Sequence, residues 1–350
     1  MKIQSSLSES NNARVTIDDV AKMAGVSKAT VSRFLNHRTT RLSPEIAERV
    51  EKAVATLSYT PSPMARALKR GRSRLIGLVV ADITNPYSVA VLRGAEDAAQ
   101  QAGYLVMLFN LGNAKQRERE GIDALASYQV EGFLLNTLGA DPFLVGALVR
   151  HGKPAVLVDR KVAGLQADFV SLDNADAVKQ AVIHLVENGW QELLYVTEPV
   201  VGVSPRTERA AAFRENTTQA GGEVAAQMVE VIDGDDASLD SALLALKKRA
   251  GNRAAAVLAS NGRMTLRVAA AAVRLGWVLG REIGFVGIDE TNWTPLIGPG
   301  LTVVEQPTDA IGRIAIASLL ERMQGQTPPP RQILLTGRLI PRASSQRTHE

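Results

Sequence analysis

Lys28, Ala29, Ser32 and Arg33 are spaced to share one side of a single helix. Lysine and arginine reach the guanine acceptors of a DNA major groove, and an alanine methyl fits against a thymine methyl. The hydroxyls of Thr30 and Ser32 suit phosphate oxygens, which fix orientation without reading sequence. The chemistry is recognition of a polyanion through hydrogen bonds, with no bond made or broken.

Such a helix needs a support, and the flanking residues supply one. Ser27 suits an N-cap that accepts from a backbone N–H. Upstream, Thr16 and Asp19 form a capping box with Asp in place of the usual Glu or Gln. The pair Asp18-Asp19 also sits well at a positive helix end. Ile17, Val20, Ala21 and Ala24 repeat at helical spacing and face a core. Gly25 accepts the positive φ of a tight turn, and Val26 anchors that turn. Val31 and Phe34 or Leu35 then point inward from the second helix. Two helices around a tight turn lay the second one in a major groove. A third helix follows, with Ser43 as cap, Pro44 at its first position, and a stripe of Ile46, Val50, Val54 and Leu57. The same three helices also fit a module that binds protein.

Charge favours nucleic acid. The 350 residues carry net +4, but residues 1–74 hold 14 Lys/Arg against 6 Asp/Glu, and the remainder 26 against 30. A basic front on a slightly acidic body meets a polyanion with the front alone. A solvated basic tail is the plainer reading, but these charges are interleaved with regular apolar spacing. The absence of cysteine excludes disulfides and thiolate metal sites, and four scattered histidines do not make a zinc set. Met1 to Asn12 lacks the apolar stretch of a signal peptide, and no apolar run approaches the ~20 residues of a spanning helix. The reading is a cytoplasmic protein, at the nucleoid when on DNA, with no membrane partner.

Tyr59-Thr60-Pro61-Ser62-Pro63 breaks the helical pattern. Met64 to Arg70 is helix-favouring but too short to hold alone. It fits a flexible linker equally well as a helix that folds when a partner supplies contacts. In the second case Leu68 is an apolar wedge for a minor groove, with basic residues beside it.

In the body, short apolar runs alternate with helical patterns. Strand candidates are 75–80, 105–109, 132–135, 156–158, 193–196, 257–258 and 283–286, and Val89 to Gln101 reads as an amphipathic helix. Glycine follows several helices, as at Gly103, Gly189 and Gly276. The alternation argues parallel α/β structure, and the length argues two sheets. Ligands of such folds sit at the carboxyl ends of strands. The chain has no Gly-rich dinucleotide loop after a strand, no phosphate-cradling Gly-Lys-Ser/Thr loop and no Gly-x-Ser-x-Gly elbow. No cofactor is expected. The body reads as a binding module, against an enzyme acting on a sugar acid or a sugar receptor without gene control.

The segments Val15–Ala21, Ala24–Arg33, Tyr59-Thr60-Pro61 and Ala65-Arg66-Ala67-Leu68 resemble the LacI/GalR family of bacterial repressors. The resemblance runs through the body. Asn85-Pro86-Tyr87, Val158-Asp159-Arg160, Ser204-Pro205-Arg206 with Arg209–Phe213, Asn261, Val286–Asp289 and Val304–Pro307 match its segments. It departs in two places: Ser62-Pro63 replaces an Asn after the hinge proline, and Gly262 replaces an Asp.

The resemblance implies a helix-turn-helix headpiece with a hinge helix, then a two-subdomain parallel α/β core of the periplasmic-binding-protein type. The bounds it implies are 1–13 tail, 14–61 headpiece, 62–74 hinge, 75–172 with 305–333 first subdomain, 173–304 with 334–343 second subdomain, and 344–350 tail. It assigns DNA contact to Thr16, Ser27, Lys28, Ala29, Thr30, Ser32, Arg33, Ala65, Arg66 and Leu68. It assigns an effector to Tyr87, Asp159, Arg160, Arg206, Arg209, Asn261, Asp289 and Gln306. Arg160, Arg206 and Arg209 together make a cationic wall that suits a carboxylate. That wall implies a sugar acid, and Val158–Val162 with Thr197-Glu198-Pro199 is similar to regulators of 2-ketogluconate use. The implied mechanism is a homodimeric repressor on a pseudo-palindromic operator, a dimer because the leucine-heptad helix of family tetramers has no match at 344–350. Five of these residues also have a plainer role: Tyr87 as core aromatic, Asp159, Asn261 and Asp289 as loop ties, and Arg209 as a partner of Glu208 or another carboxylate.

Overall fold

The computed structural model describes residues 15–37, 42–60, 72–138, 143–222 and 224–347. Ala65, Arg66 and Leu68, with the rest of the expected hinge up to Gly71, lie outside the described residues, as does the expected tail 1–13. Two compact units divide between Ser73 and Arg74.

In the first unit, α1 (Ile17–Ala24), α2 (Lys28–His37) and α3 (Pro44–Thr56) close over Val20, Ala21, Ala24, Val31, Val50 and Ala53. The capping box forms: Asp19 N–H donates to Thr16 Oγ1, and Thr16 N–H donates to Asp19 Oδ2 at 2.8 Å. The Thr16 hydroxyl, donating to Asp19 Oδ2 at 2.7 Å, and the Thr16 backbone N–H hold the Asp19 carboxyl below its ordinary pKa. Gly25 turns the chain at φ 63°, and the Thr30 N–H donates to Ser27 Oγ at 3.2 Å. Ser43 precedes α3 but its side chain makes no cap hydrogen bond, contrary to the sequence expectation. Pro44 already removes one of the four orphan N–H donors there and presets the helical φ.

The second unit opens with β1 (Leu75–Val80), α4 (Pro86–Gln101), β2 (Leu105–Asn110), α5 (Arg117–Ser127), β3 (Gly132–Asn136), α6 (Leu144–His151), β4 (Ala155–Val158) and β5 (Asp168–Leu172). The chain then crosses to α7 (Asn174–Glu187), β6 (Glu192–Thr197), α8 (Ser204–Gln219), β7 (Ala225–Glu230), α9 (Asp236–Ala250), β8 (Ala255–Ala259), α10 (Gly262–Arg274), β9 (Gly284–Ile288) and β10 (Thr302–Glu305). It returns for α11 (Thr308–Met323) and β11 (Gln332–Leu335), and crosses a third time to β12 (Arg338–Ile340). Two six-stranded sheets result, ordered β11-β5-β4-β3-β1-β2 and β12-β10-β9-β8-β6-β7. Strands β3, β5, β6, β8 and β9 are buried throughout, because helices cover both faces of a parallel sheet.

Three details differ from the sequence reading. β12 runs antiparallel to β10, since the short link from Leu335 to Arg338 leaves no room for a crossover helix. β11 ends at Leu335 in the first sheet and β10 reaches Glu305 in the second, so the two switches fall a residue or two later than 304/305 and 333/334. Ser344 and Ser345 are no tail. Both are buried: the Ser344 hydroxyl donates to Phe285 O at 2.9 Å, and Trp190 Nε1 donates to Ser345 O at 2.8 Å. The Ser344 hydroxyl thus serves a β9 carbonyl and accepts from the Thr302 N–H of β10 at 2.8 Å, backbone groups at the start of these interior strands.

Helices α4 and α11 pack backbone to backbone through Gly94 and Gly312. A Cβ on Gly312 meets Val91 O and Ala95 N, and one on Gly94 meets Asp309 O. Gly312→Ala is therefore expected to destabilise the core by about 1–3 kcal/mol, read from urea denaturation. An unchanged midpoint would contradict this close crossing.

Candidate functional site

On the headpiece, burying Val31 turns Lys28, Ala29 and Arg33 outward, all three exposed, with Thr30 and Ser32 half-buried. Two of the polar groups already have local work. Lys28 Nζ sits 2.7 Å from Asp18 Oδ2, and the Thr30 and Ser27 hydroxyls are 2.9 Å apart. Both ends of the Lys28–Asp18 pair are exposed, so it costs little to exchange Asp18 for a phosphate or a base edge. Thr16 is exposed and engaged by Asp19.

In the core, Tyr87, Asp159, Arg160, Arg206, Arg209, Asn261, Asp289 and Gln306 all line one cleft between the two sheets. Strand ends place most of them. Asp159 and Arg160 follow β4, Asn261 follows β8, Asp289 follows β9 and Gln306 follows β10, the carboxyl-end crevice of parallel sheets. Asp159 and Asp289 hold φ at 65° and 82°. Such conformations are uncommon for residues with a Cβ and concentrate where side chains must be aimed. Helix starts place the rest: Asn85 caps α4 by accepting from the Tyr87 N–H, and α8 carries Arg206 and Arg209.

The bonding separates three kinds of residue. Some are tied. Asp289 accepts from the Gly262 N–H at 2.8 Å and from Gln306 Nε2 at 2.6 Å. A Cβ on residue 262 comes within 3.2 Å of the same carboxylate, so glycine gives Asp289 room at this turn. Asn261 accepts from the Met264 N–H and donates to Glu198. Arg209 is buried and donates to Asn174 Oδ1 at 2.7 Å and to Ser260 O at 2.6 Å. Its bonded partners are neutral, and Glu208 instead takes Lys161 and Asn174. The plainer alternative for Arg209, a pairing with Glu208, does not occur.

Others are neutralised. Arg206 reaches Glu198 at 2.8 Å and Pro199 O at 3.0 Å. Burial lowers its pKa, and Glu198 opposes that. The third kind is unmatched. Arg160 Nε and Nη1, Tyr87 OH and Gln306 Oε1 are buried with no hydrogen-bond partner among the described residues. The carboxylate nearest to Arg160, Asp159, lies 3.8 Å from Nε, beyond hydrogen-bond reach. Burial raises the Asp159 pKa against the pull of Arg160 and Arg209, and raises that of Tyr87 far above the ordinary phenol value.

Sequence reasoning missed Asp82, Asn136, Glu198 and Arg263, which also line the cleft. Asp82 and Glu198 stand just past β1 and β6, so strand-end position alone points to them. The walls nearly meet. The cavity is about 50 Å³, against roughly 300–1,000 Å³ for a ligand pocket. Lys161 Nζ to Glu208 at 2.7 Å, Lys161 N–H to Ser204 Oγ at 3.0 Å and Arg263 to Asp82 at 3.9 Å link the two sides.

The sequence profile described as "Bacterial regulatory proteins, lacI family" matches residues 16–62, and that of a "Periplasmic binding protein-like domain" matches 182–345. The chain is 44% identical to the HTH-type transcriptional regulator PtxS of Pseudomonas aeruginosa, covering 96% of this chain and 97% of that one. It is 37% identical to the HTH-type transcriptional regulator KdgR of Bacillus subtilis, covering 97% and 100%. Among solved structures, the lac repressor dimer bound to operator and the anti-inducer ONPF superposes with TM-score 0.81 at 24% identity, covering 95% of this chain and 99% of that one.

Proposed function

The chain belongs to the lacI family of bacterial regulatory proteins, and from that premise we propose that it is a transcriptional repressor whose operator affinity is set by a sugar acid in the core cleft. It works by binding and not by catalysis, as a regulator among relatives named transcriptional regulators. Lys28, Ala29 and Arg33 read base edges, while Thr16, Ser27, Thr30 and Ser32 hold phosphates. Ala65, Arg66 and Leu68 open the minor groove at the operator centre. Two copies bind, since two-fold protein symmetry matches a pseudo-palindromic site. The headpiece spans 14–61, the hinge 62–74, and the working compartment is the cytoplasm.

One observation carries the effector half of this reading: Arg160 lines the cleft with its Nε and Nη1 donors buried and without hydrogen-bond partners among the described residues. Buried donors left unmatched are costly, and a carboxylate that accepts from one of them forms a charge-assisted bond. Hydroxyls of the same molecule answer Gln306 Oε1 and Tyr87 OH. The acid changes DNA affinity only by as much as it prefers one subdomain arrangement over the other.

Fluorescence anisotropy of the protein on the DNA upstream of its own gene tests this. Log affinity is expected to fall steeply with log salt, and a hexonate or ketohexonate to shift the affinity at fixed salt. Indifference to every sugar and sugar acid tried would sink the effector half. Arg33→Ala is expected to cost roughly 1–3 kcal/mol on the specific site and to relax the preference at one base pair. An equal loss on random DNA means that Arg33 contacts only the backbone.

A further inference from the structure

Three arginines in one cleft suggest a strongly cationic site, but the bonding gives a different charge map. Glu198 is buried just past β6. One carboxylate oxygen takes Arg206 Nη2 at 2.8 Å, with Arg263 Nη1 at 3.9 Å, and the other takes Asn261 Nδ2 at 2.5 Å. On the wall built by the second sheet, Arg206 and Asn261 are therefore already held by a carboxylate of the chain itself, while Arg209 is tied to neutral oxygens. On the opposite wall, past β4, Arg160 keeps two buried N–H groups without partners. These donors, Nε and Nη1, lie on different edges of the guanidinium, so one carboxylate accepts from one of them in a charge-assisted bond and leaves the other to a hydroxyl.

Resting on the reading of this cleft as the effector site, we infer that Glu198 sets the charge class of the effector: it fills the place of a second anionic group and restricts the cleft to monocarboxylates. A hexonate presents one carboxylate to Arg160 and neutral hydroxyls elsewhere. Its 6-phosphate carries a further, largely dianionic group at the far end. That group needs Arg206 and Asn261, finds them bound to Glu198, and meets the Glu198 carboxylate at close range. Like charges brought together in a desolvated site oppose binding and act as a device against the wrong ligand. The contribution of Glu198 is discrimination by charge.

Titration calorimetry on the full-length protein tests this, with D-gluconate, 2-keto-D-gluconate and their 6-phosphates as probes. Wild type is expected to bind the unphosphorylated acids more tightly than the phosphates. Glu198→Gln keeps the shape and removes the charge, and is expected to shift that ratio toward the phosphates on the order of tenfold or more. Glu198→Asp keeps the charge and is expected to retain the wild-type preference, with thermal melting confirming that both variants fold. A merely structural role for Glu198 weakens all four probes together and leaves the ratio alone. An unchanged ratio in Glu198→Gln, or a wild type that prefers phosphates, overturns the inference while leaving the cleft as effector site. If neither wild type nor variant takes up any probe, the reading of the cleft fails and the inference falls with it.

Discussion

Asp168→Ala is expected to lower the stability of the core by about 3 kcal/mol and its melting temperature by roughly 5–10 °C. Asp168 is fully buried at the start of β5. It receives Arg322 from α11 at 2.7 and 3.0 Å, Arg331 Nη2 from the segment before β11 at 2.9 Å, and the Arg331 backbone N–H at 2.8 Å. It thus fastens the returning segment, α11 and β11, to the sheet built by the chain's earlier half. Removing the carboxylate leaves two guanidinium groups facing each other. Arg331 is 36% exposed and Arg322 16%, so water recovers part of the loss, which places the cost at the low end of a broken buried pair.

The same residue sets a pH dependence. Burial pushes the Asp168 carboxyl up, but the hydrogen bonds from Arg322 and Arg331 outweigh it and hold the pKa far below the ordinary carboxylate value. A depressed folded pKa stabilises fully above the unfolded pKa, near 4, and the contribution shrinks as pH falls below it. The gap in melting temperature between wild type and Asp168→Asn is therefore expected to be full at pH 6–7 and to narrow below about pH 4. A gap that stays constant from pH 7 to pH 3 excludes ionised Asp168 as its source.

What could be read from the sequence was local. The capping box at Thr16, the turn at Gly25 and the outward face of Lys28, Ala29 and Arg33 depend on residues three or four apart. Seven of the twelve strands among the described residues announce themselves as apolar runs, as buried parallel strands do, while β5, interrupted by Ser171, and β7, β10, β11 and β12 did not. The cleft residues were placed by likeness to a family and by their position after strands. Their bonding was not legible, since it joins residues far apart: Arg209 to Asn174 and Ser260, Gln306 to Asp289, Arg322 and Arg331 to Asp168. Counting arginines therefore overstated the positive charge of the cleft, because Arg206 belongs to Glu198. The docking of Ser344 and Ser345 was hidden for the same reason, as no local pattern tells a polar tail from a polar seam.

Arg209→Ala is expected to weaken binding of the acid by about 2–4 kcal/mol, on the order of 30- to 1,000-fold. Arg209 is buried in the cleft wall, and it donates to neutral oxygens of Asn174 and Ser260. Those bonds aim the guanidinium without cancelling its charge, leaving the field of a full cation for the ligand. Truncation also leaves two buried acceptors unmatched, at about 1–3 kcal/mol of core stability. The two losses separate by experiment: melting without ligand reads the second, and the rise in melting temperature with added acid reads the first. Arg209→Lys keeps the charge but cannot span Asn174 and Ser260 as a planar fork does. If aim matters, lysine falls close to alanine; if charge alone matters, it falls close to wild type. A variant Arg209→Ala that is stabilised by the acid at wild-type concentrations makes Arg209 a scaffold residue, and leaves Arg160 as the anchor of the carboxylate.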